Sequence, residues 1–424
     1  MKVDFEALGR FFNFDKGLIN IAQQALESVK EIFEEIEKIK SYNQLKILNA
    51  FQKNKLSYTH LNKTDGYGYS DSGRDVIERI YSDVFGCEDS LVRIQFVSGT
   101  QAISTMLFGV LRPSDVLLSI CGQPYDTLQK VIGIKSGGHG TLIDFGIRYE
   151  EIDLKNNSFD FDKIEKVLKE RKIKAVFIQR SRGYSLRESI SVEKIKEVTR
   201  FIKRISPDTI IMVDNCYGEF VEKLEPTEVG ADLIAGSLIK NPGGTIASCG
   251  GYIAGKKELV EMCADRLNTP GMGKEVGPSL GFNREILQGL LFAPHIVAES
   301  LKVAVFTAYI MERLGFKVLP RYNQYRTDII QSIVFGNEKE LISFCQGIQK
   351  GCPVDSNVLP EPWDMPGYSH KVIMAAGGFV QGTSLELSCD APIREPYVAY
   401  LQGSSSFEIG VVGILKAIER LRRM

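Results

Sequence analysis

The 424-residue sequence predicts an α/β fold: a large domain built on a mainly parallel sheet with helices on both faces, followed by a smaller α+β carboxyl-terminal domain. Three observations predict it. Apolar runs of strand length alternate with amphipathic helical stretches from about residue 91 to residue 235. Those runs are continuously apolar rather than alternating, as expected for strands buried on both faces. The last third loses the strict alternation and mixes strands with helices, which marks a separate α+β unit.

Taken in order, residues 14–55 predict helix, because Leu18, Ala22, Ala25, Val29, Ile32 and Ile36 recur mostly at three- and four-residue steps. The stretch Gly66-Tyr-Gly-Tyr-Ser-Asp-Ser-Gly-Arg-Asp75 is a turn signal, although its tyrosines and Arg74 are also good anion ligands. Leu91-Val-Arg-Ile-Gln-Phe-Val97 predicts a strand, and Ser98-Gly99-Thr100 leads directly into a helix marked by Ile103, Met106, Leu107 and Val110. Strands are expected over 115–120, 173–179, 209–213 and 231–235, with helices over 161–170 and 192–205. Residues 257–263 and 282–313 are helical, separated by a loop rich in glycine and proline. Beyond it, strands are expected over 329–335, 371–374 and 384–388 and helices over 339–350 and 408–421. The expected division is an amino-terminal helical arm over 1–66, a large domain over 67–305 and a small domain over 306–424.

Lys plus Arg number 52 against 53 acidic residues, so no global charge draws the chain to nucleic acid or anionic lipid. The eight cysteines are scattered without a C-x-x-C pair, which suits free thiols in a reducing cytoplasm. The four histidines lack H-x-x-x-H spacing, and no metal site is expected. No apolar run approaches a membrane span, and the first residues show no signal-peptide core.

Parallel sheets carry ligands at the carboxyl ends of their strands. Ser98, Asp214 and the Ser237 to Lys240 segment all lie just past an expected strand. A lysine after a strand is ordinarily solvated, but one held at a buried strand end loses its proton more easily through desolvation. Asp214, at the end of Ile210-Ile-Met-Val-Asp214, is an expensive charge that needs a cationic partner. It suits a metal ligand, a helix cap or the partner of a protonated ring nitrogen. Ser98-Gly99-Thr100 offers open backbone N–H groups to an anion, and Tyr125 supplies an aromatic face. An amine, a carboxylate, a phosphate cradle and a stacking ring are together what a pyridoxal phosphate enzyme requires. Neither a dinucleotide fingerprint nor a P-loop is present.

On these residues the sequence resembles the fold type I pyridoxal phosphate enzymes of cysteine and methionine metabolism, the cystathionine β-lyase and methionine γ-lyase group. Ser98-Gly-Thr-Gln-Ala-Ile-Ser104 resembles the group's phosphate turn, Tyr125-Asp-Thr-Leu128 its stacking-tyrosine segment, and Val213-Asp-Asn-Cys-Tyr217 its V-D-N-T-Y. Gly230-Ala-Asp-Leu-Ile-Ala-Gly-Ser-Leu-Ile-Lys240 is similar to its lysine motif. Gln179-Arg-Ser-Arg-Gly-Tyr184, Gly236 to Gly244 and Ala391 to Tyr400 bring the likeness closest to the aluminium-resistance or methionine γ-lyase-like family.

The resemblance implies that Lys240 anchors the cofactor and acts as base, that Asp214 pairs with the pyridine nitrogen, and that Ser98, Gly99, Thr100 and Ser237 hold the phosphate. It implies that Tyr125 stacks on the ring, and that Tyr69 reaches a neighbouring subunit's phosphate site in a homodimer or homotetramer. The arginine expected two places after Tyr69 is Asp71, with Arg74 as the replacement, and the threonine expected before the lysine is Ile239. For the substrate carboxylate, Arg394 is the first choice and Arg326 the second, while Arg180 and Arg182 suit the cofactor, the substrate or acidic surface groups. The implied activity is carbon–sulfur lysis of a sulfur amino acid. An aminotransferase, or a pyridoxal-binding protein without turnover, shares the same cofactor residues.

Overall fold

The computed structural model describes residues 3–136 and 138–423. The chain divides into two compact units, one formed by Asn43–Leu291 and the other by Met1–Tyr42 with Phe292–Met424. Both divisions fall inside helices, Lys30–Lys53 and Asn283–Arg313, so helical periodicity in the sequence carries no mark of them.

The unit formed by Asn43–Leu291 is built on seven strands: β1 (Asp89–Arg93), β2 (Val116–Ser119), β3 (Arg148–Glu151), β4 (Ala175–Gln179), β5 (Ile210–Asp214), β6 (Leu233–Ser237) and β7 (Gly251–Gly255). Their order across the sheet is β1-β7-β6-β5-β4-β2-β3. Strands β2 to β6 pair in parallel, and β7 runs antiparallel to both β6 and β1, which is the mainly parallel α/β architecture that the alternation predicted. The apolar runs of β4 and β6 are buried along their whole length. Leu91, Phe96, Ile103, Met106, Leu117, Phe177, Met212 and Ile253 belong to one buried cluster. Each helix entry is fixed locally: Ser98, Asp160 and Ser191 accept a hydrogen bond from the N–H three residues on, the usual N-cap device. The register sets Gln179 beside Asp214 and Asp214 beside Ala235, so β4, β5 and β6 end at nearly one level.

Strands β3 and β7 escape the periodicity reading for different reasons. Strand β3 is a polar Arg-Tyr-Glu-Glu edge, and β7 begins and ends on glycine. Strand β1 stops at Arg93, short of the expected Val97.

The second unit carries an antiparallel sheet in the order β10-β11-β12-β9-β8, from β8 (Lys317–Leu319), β9 (Gln331–Val334), β10 (Val372–Ala376), β11 (Ser388–Pro392) and β12 (Val398–Gln402). Helices Glu338–Gly351 and Phe407–Arg422 complete the expected α+β unit. The strand expected over 384–388 forms four residues later, and β12 lies in the stretch otherwise read for its arginine and prolines. Among the described residues, Asn283–Arg313 is the one helix long and apolar enough to cross a membrane, but 83% of its most apolar window is buried inside the fold. All eight cysteines are free.

Candidate active site

The carboxyl ends of β5 and β6 and the start of the helix Gly99–Val110 converge. Ser98 is extended, with its Oγ accepting from the Gln101 N–H at 3.1 Å and its carbonyl from the Ala102 N–H at 3.1 Å. The N–H groups of Gly99 and Thr100 find no acceptor among the described residues and lie at the positive end of the helix. Ser237, the last residue of β6, has a buried Oγ with no hydrogen-bond partner among the described residues. A Cβ on Gly99 would lie 2.9 Å from the Ser237 Cβ. Glycine therefore lets the helix start close onto the serine and forms a small cradle of donors. An orphaned buried hydroxyl is costly, and an anionic ligand would relieve it.

Tyr125 is tied to this cradle from the other side. Its hydroxyl donates to Thr100 Oγ1 at 3.0 Å and its backbone N–H donates to Gln179 Oε1 at 2.8 Å. Burial raises the Tyr125 phenol well above the ordinary tyrosine value, reinforced by the carboxylate of Asp214. It is therefore a neutral donor.

Asp214 is buried at the end of β5, with Oδ1 accepting from the Cys216 N–H at 3.1 Å. Burial raises its pKa above the usual carboxylate value, against the pull of Lys240 and the Cys216 donors. Lys240 is half-buried just past β6, with Nζ 3.9 Å from the centre of the Tyr217 ring. Among the described residues it makes no ion pair with a carboxylate. Its pKa departs from the direction expected from desolvation. Burial does oppose the charge, but the surrounding acidic groups, the Asp214 carboxylate among them, outweigh it and hold the ammonium well above the ordinary lysine value. The protein's own groups favour Lys240 as a cation until something else enters.

The structure brings Ser98, Gly99, Thr100, Tyr125, Asp214, Ser237 and Lys240 together, and treats the arginines differently. Arg74 is buried and donates from Nη1 to the carbonyls of Gly68 at 2.7 Å and Gly277 at 3.1 Å, so it braces its own loop. Tyr69 is 59% exposed and stacks on Tyr67. Arg180 is fully buried and pairs with Glu222 at 2.7 Å, Glu225 at 3.6 Å and the Asn215 Oδ1 at 2.7 Å; its acidic partners are internal. Arg182 is buried, with Nε donating to Ser189 Oγ at 3.3 Å. Arg326 and Arg394 belong to the other unit. There Arg326 Nη2 donates to Gln331 Oε1 at 2.6 Å, and the half-buried Arg394 gives its backbone N–H to the Pro392 carbonyl at 2.9 Å.

Two contributors had no role assigned from the sequence, Tyr217, quoted only as the end of a motif, and Glu219. Tyr217, with a positive φ of 69°, supplies the ring against Lys240, and such strain gathers at functional sites. Glu219 is buried two residues later. The signal for both was the polar stretch directly after an apolar strand.

These residues fit pyridoxal phosphate. A lysine without an ion-pair partner among the described residues lies near a buried carboxylate, an aromatic residue is hydrogen-bonded to the cradle and feels that carboxylate, and the buried Ser237 hydroxyl lacks the acceptor that a phosphate oxygen provides.

The chain is similar to known proteins over nearly its whole length. A family model described as methionine gamma-lyase matches residues 18–422. The Bacillus subtilis protein YnbB is 49% identical over 402 residues, covering 94% of this chain and 95% of that one. A crystal structure from Clostridium acetobutylicum, assigned as a cystathionine beta-lyase involved in aluminum resistance, superposes with a TM-score of 0.95 at 48% identity, covering 99% of each chain. A carbon-sulfur lyase involved in aluminum resistance from Clostridium novyi NT gives 0.94 at 48% identity over the whole of both chains.

Proposed function

The chain belongs to the methionine gamma-lyase family, and on that premise we propose that it is a pyridoxal phosphate-dependent carbon–sulfur lyase that cleaves a sulfur amino acid by β- or γ-elimination. The observation that carries this reading is the set of groups left unsatisfied at one place: the Lys240 amine without a carboxylate partner and the Ser237 hydroxyl without an acceptor.

When bound, pyridoxal phosphate supplies an electron sink for bond breaking next to the substrate's amino group. The Ser237 hydroxyl and the N–H groups of Gly99 and Thr100 would hold the phosphate. Asp214, kept in place by the Cys216 N–H, would hold the positive charge on the ring nitrogen, and Tyr125 would cover one face of the ring. Lys240 would anchor the cofactor. Freed from that link, its Nζ is the group to take the substrate α-proton and hand it on. Elimination then expels the sulfur as a thiol, and water completes the conversion to a keto acid and ammonia. Arg394, with Arg326 as the second choice, is the proposed ligand of the substrate carboxylate. Tyr69, exposed on its loop, is proposed to reach the phosphate site of a neighbouring copy in a homodimer or homotetramer. The carbon-sulfur lyase of Clostridium novyi NT supports this reaction class.

The test is a visible absorption spectrum of the purified protein together with product analysis on cystathionine, cysteine and methionine. The expected result is a cofactor band that Lys240→Ala abolishes, with thiol, ammonia and keto acid formed in equal amounts. A band that survives Lys240→Ala, or transfer of the amino group without thiol release, would overturn the reading.

A further inference from the structure

Behind the lysine lies a buried cluster that the reaction as described does not use. Successive residues of β6 point to opposite faces. Ser237 faces the cradle through its contact with Gly99, while Gly236 faces Tyr252 of β7, its register partner. A Cβ on Gly236 would lie 2.6 Å from Tyr252 Cε1 and 2.7 Å from Glu219 Oε1. The glycine thus opens the space in which a carboxyl and a phenol lie directly against the strand that leads to Lys240.

Glu219 is wholly buried. Its Oε1 accepts from the Tyr252 hydroxyl at 2.7 Å, and its Oε2 has no hydrogen-bond partner among the described residues. A carboxylate with one hydrogen bond and no ion pair is poorly stabilised in such a place, whereas the neutral acid is tolerated. The main chain of the same residue is tied to the site, because its carbonyl accepts from Asn241 Nδ2 at 2.9 Å, and Asn241 directly follows Lys240. The groups that face Glu219 are Tyr252, Tyr81, Cys216, Glu225, Lys240 and, through Asn215, Arg180. Burial pushes its carboxyl up to about 8, helped by Glu225 and opposed by the Tyr252 hydrogen bond and by Lys240.

We propose that Glu219 is a positioning residue for Lys240: kept a neutral carboxylic acid by its burial under Gly236 and oriented there by the Tyr252 hydroxyl, it pins Asn241 through its main-chain carbonyl and keeps the negative charge around Lys240 low enough for the amine to give up its proton. The sign follows from Coulomb's law. Ionised Glu219 would add a negative charge behind a lysine already held as an ammonium by its neighbours, and would make that ammonium harder to discharge. Glu219→Gln mimics the neutral acid at every pH, and Glu219→Ala removes the carboxyl and its packing under Gly236 while leaving the main-chain carbonyl that Asn241 meets. The inference rests on Lys240 being the reacting amine.

The test uses the purified holoprotein and two readouts. Difference infrared spectra between wild type and Glu219→Gln should show a protonated carboxyl band at pH 7 that fades as pH rises through about 8. The cofactor absorbance and kcat of wild type should share an alkaline inflection in that range. Glu219→Gln should lose it, Tyr252→Phe should shift it upward because the bond that favours the carboxylate is gone, and Glu219→Ala should lower kcat across the whole range. Absence of the carboxyl band, or an inflection unchanged in Glu219→Gln, overturns the proposal while leaving the lyase reading intact. A protein with the carboxyl band but no cofactor band overturns the lyase reading and, with it, the role of Glu219 at Lys240.

Discussion

Arg180 and Lys240 are two cations of the same unit, each a short step past the end of a sheet strand, and the protein treats them in opposite ways. Arg180 is fully enclosed and meets Glu222, Glu225 and Asn215. Its backbone N–H also donates to the Asp214 carbonyl at 3.1 Å, so the buried cluster is laced to the strand end that carries the carboxylate. Lys240 meets an aromatic ring, keeps out of ion-pair range of Asp214 and stays half-buried. A buried charge kept for architecture is compensated, because leaving it unpaired is expensive. Lys240, the proposed reacting amine, is left without a carboxylate partner among the described residues, and perturbed groups of this kind mark candidate functional sites. The contrast separates two residues that look alike in sequence, each a basic side chain following an apolar run.

The contrast can be broken from either side. The largest effect is expected at Arg180. Arg180→Met strands two buried glutamates and should destabilise the protein by about 3–5 kcal/mol, read from denaturant unfolding, while the position of the cofactor band stays unchanged in the folded fraction. A variant as stable as wild type would show that the cluster is not a support. Next comes Asp214→Asn, which should lower kcat by roughly a hundredfold, about 2.7 kcal/mol of barrier, with little loss of stability because the amide keeps the Cys216 hydrogen bond. Smallest is Ser237→Ala. It removes a hydroxyl that lacks a partner in the protein alone, so it should cost no stability without cofactor but weaken pyridoxal phosphate binding about tenfold, about 1.4 kcal/mol, by titration of the cofactor-free protein. Equal affinity in the two proteins would remove Ser237 from the phosphate site.

The buried carboxyl adds a pH test of the same contrast. Glu219 rises from 4.5 to about 8 in the folded protein. Between those values the unfolded chain has released its proton and the folded protein still holds it, so this group makes stability fall as pH rises. Stability curves of wild type and Glu219→Gln should therefore diverge from about pH 4.5 to about pH 8, with the glutamine variant the less sensitive one. Parallel curves would place the carboxyl outside the neutral interior.

The parts of the fold written in buried apolar runs were legible before the structure: β2, β4, β5 and β6 fall within or beside the expected segments. The strands that escaped are those whose residues do not face a core on both sides, such as the polar edge β3, or whose apolar run is closed at each end by glycine, such as β7. The candidate cofactor residues could be picked out because each sits at a strand end or helix start, places that local pattern marks, and the structure brings them together. The partners of the arginines were not. Nothing in Arg180-Ser-Arg182 says that one guanidinium turns inward to glutamates some forty residues on, since a tertiary ion pair leaves no periodic trace. Glu219 was missed for the same reason, although three glutamates within Glu219 to Glu225, all buried, are an unusual density of acid behind an apolar strand.

One feature of the lysine segment bears on motion. The Lys240 carbonyl accepts from the Gly243 N–H at 2.9 Å, Leu238 donates its N–H to the Gly250 carbonyl at 3.0 Å, and the Asn241 side chain is bound to the Glu219 carbonyl. The main chain on both sides of Lys240 is thus moored to separate parts of the unit. In the proposed reaction, travel of the amine between cofactor and substrate would fall to the rotations of its four-carbon stem, which are picosecond to nanosecond events, and the loop would not need to open for the proton to be handed over.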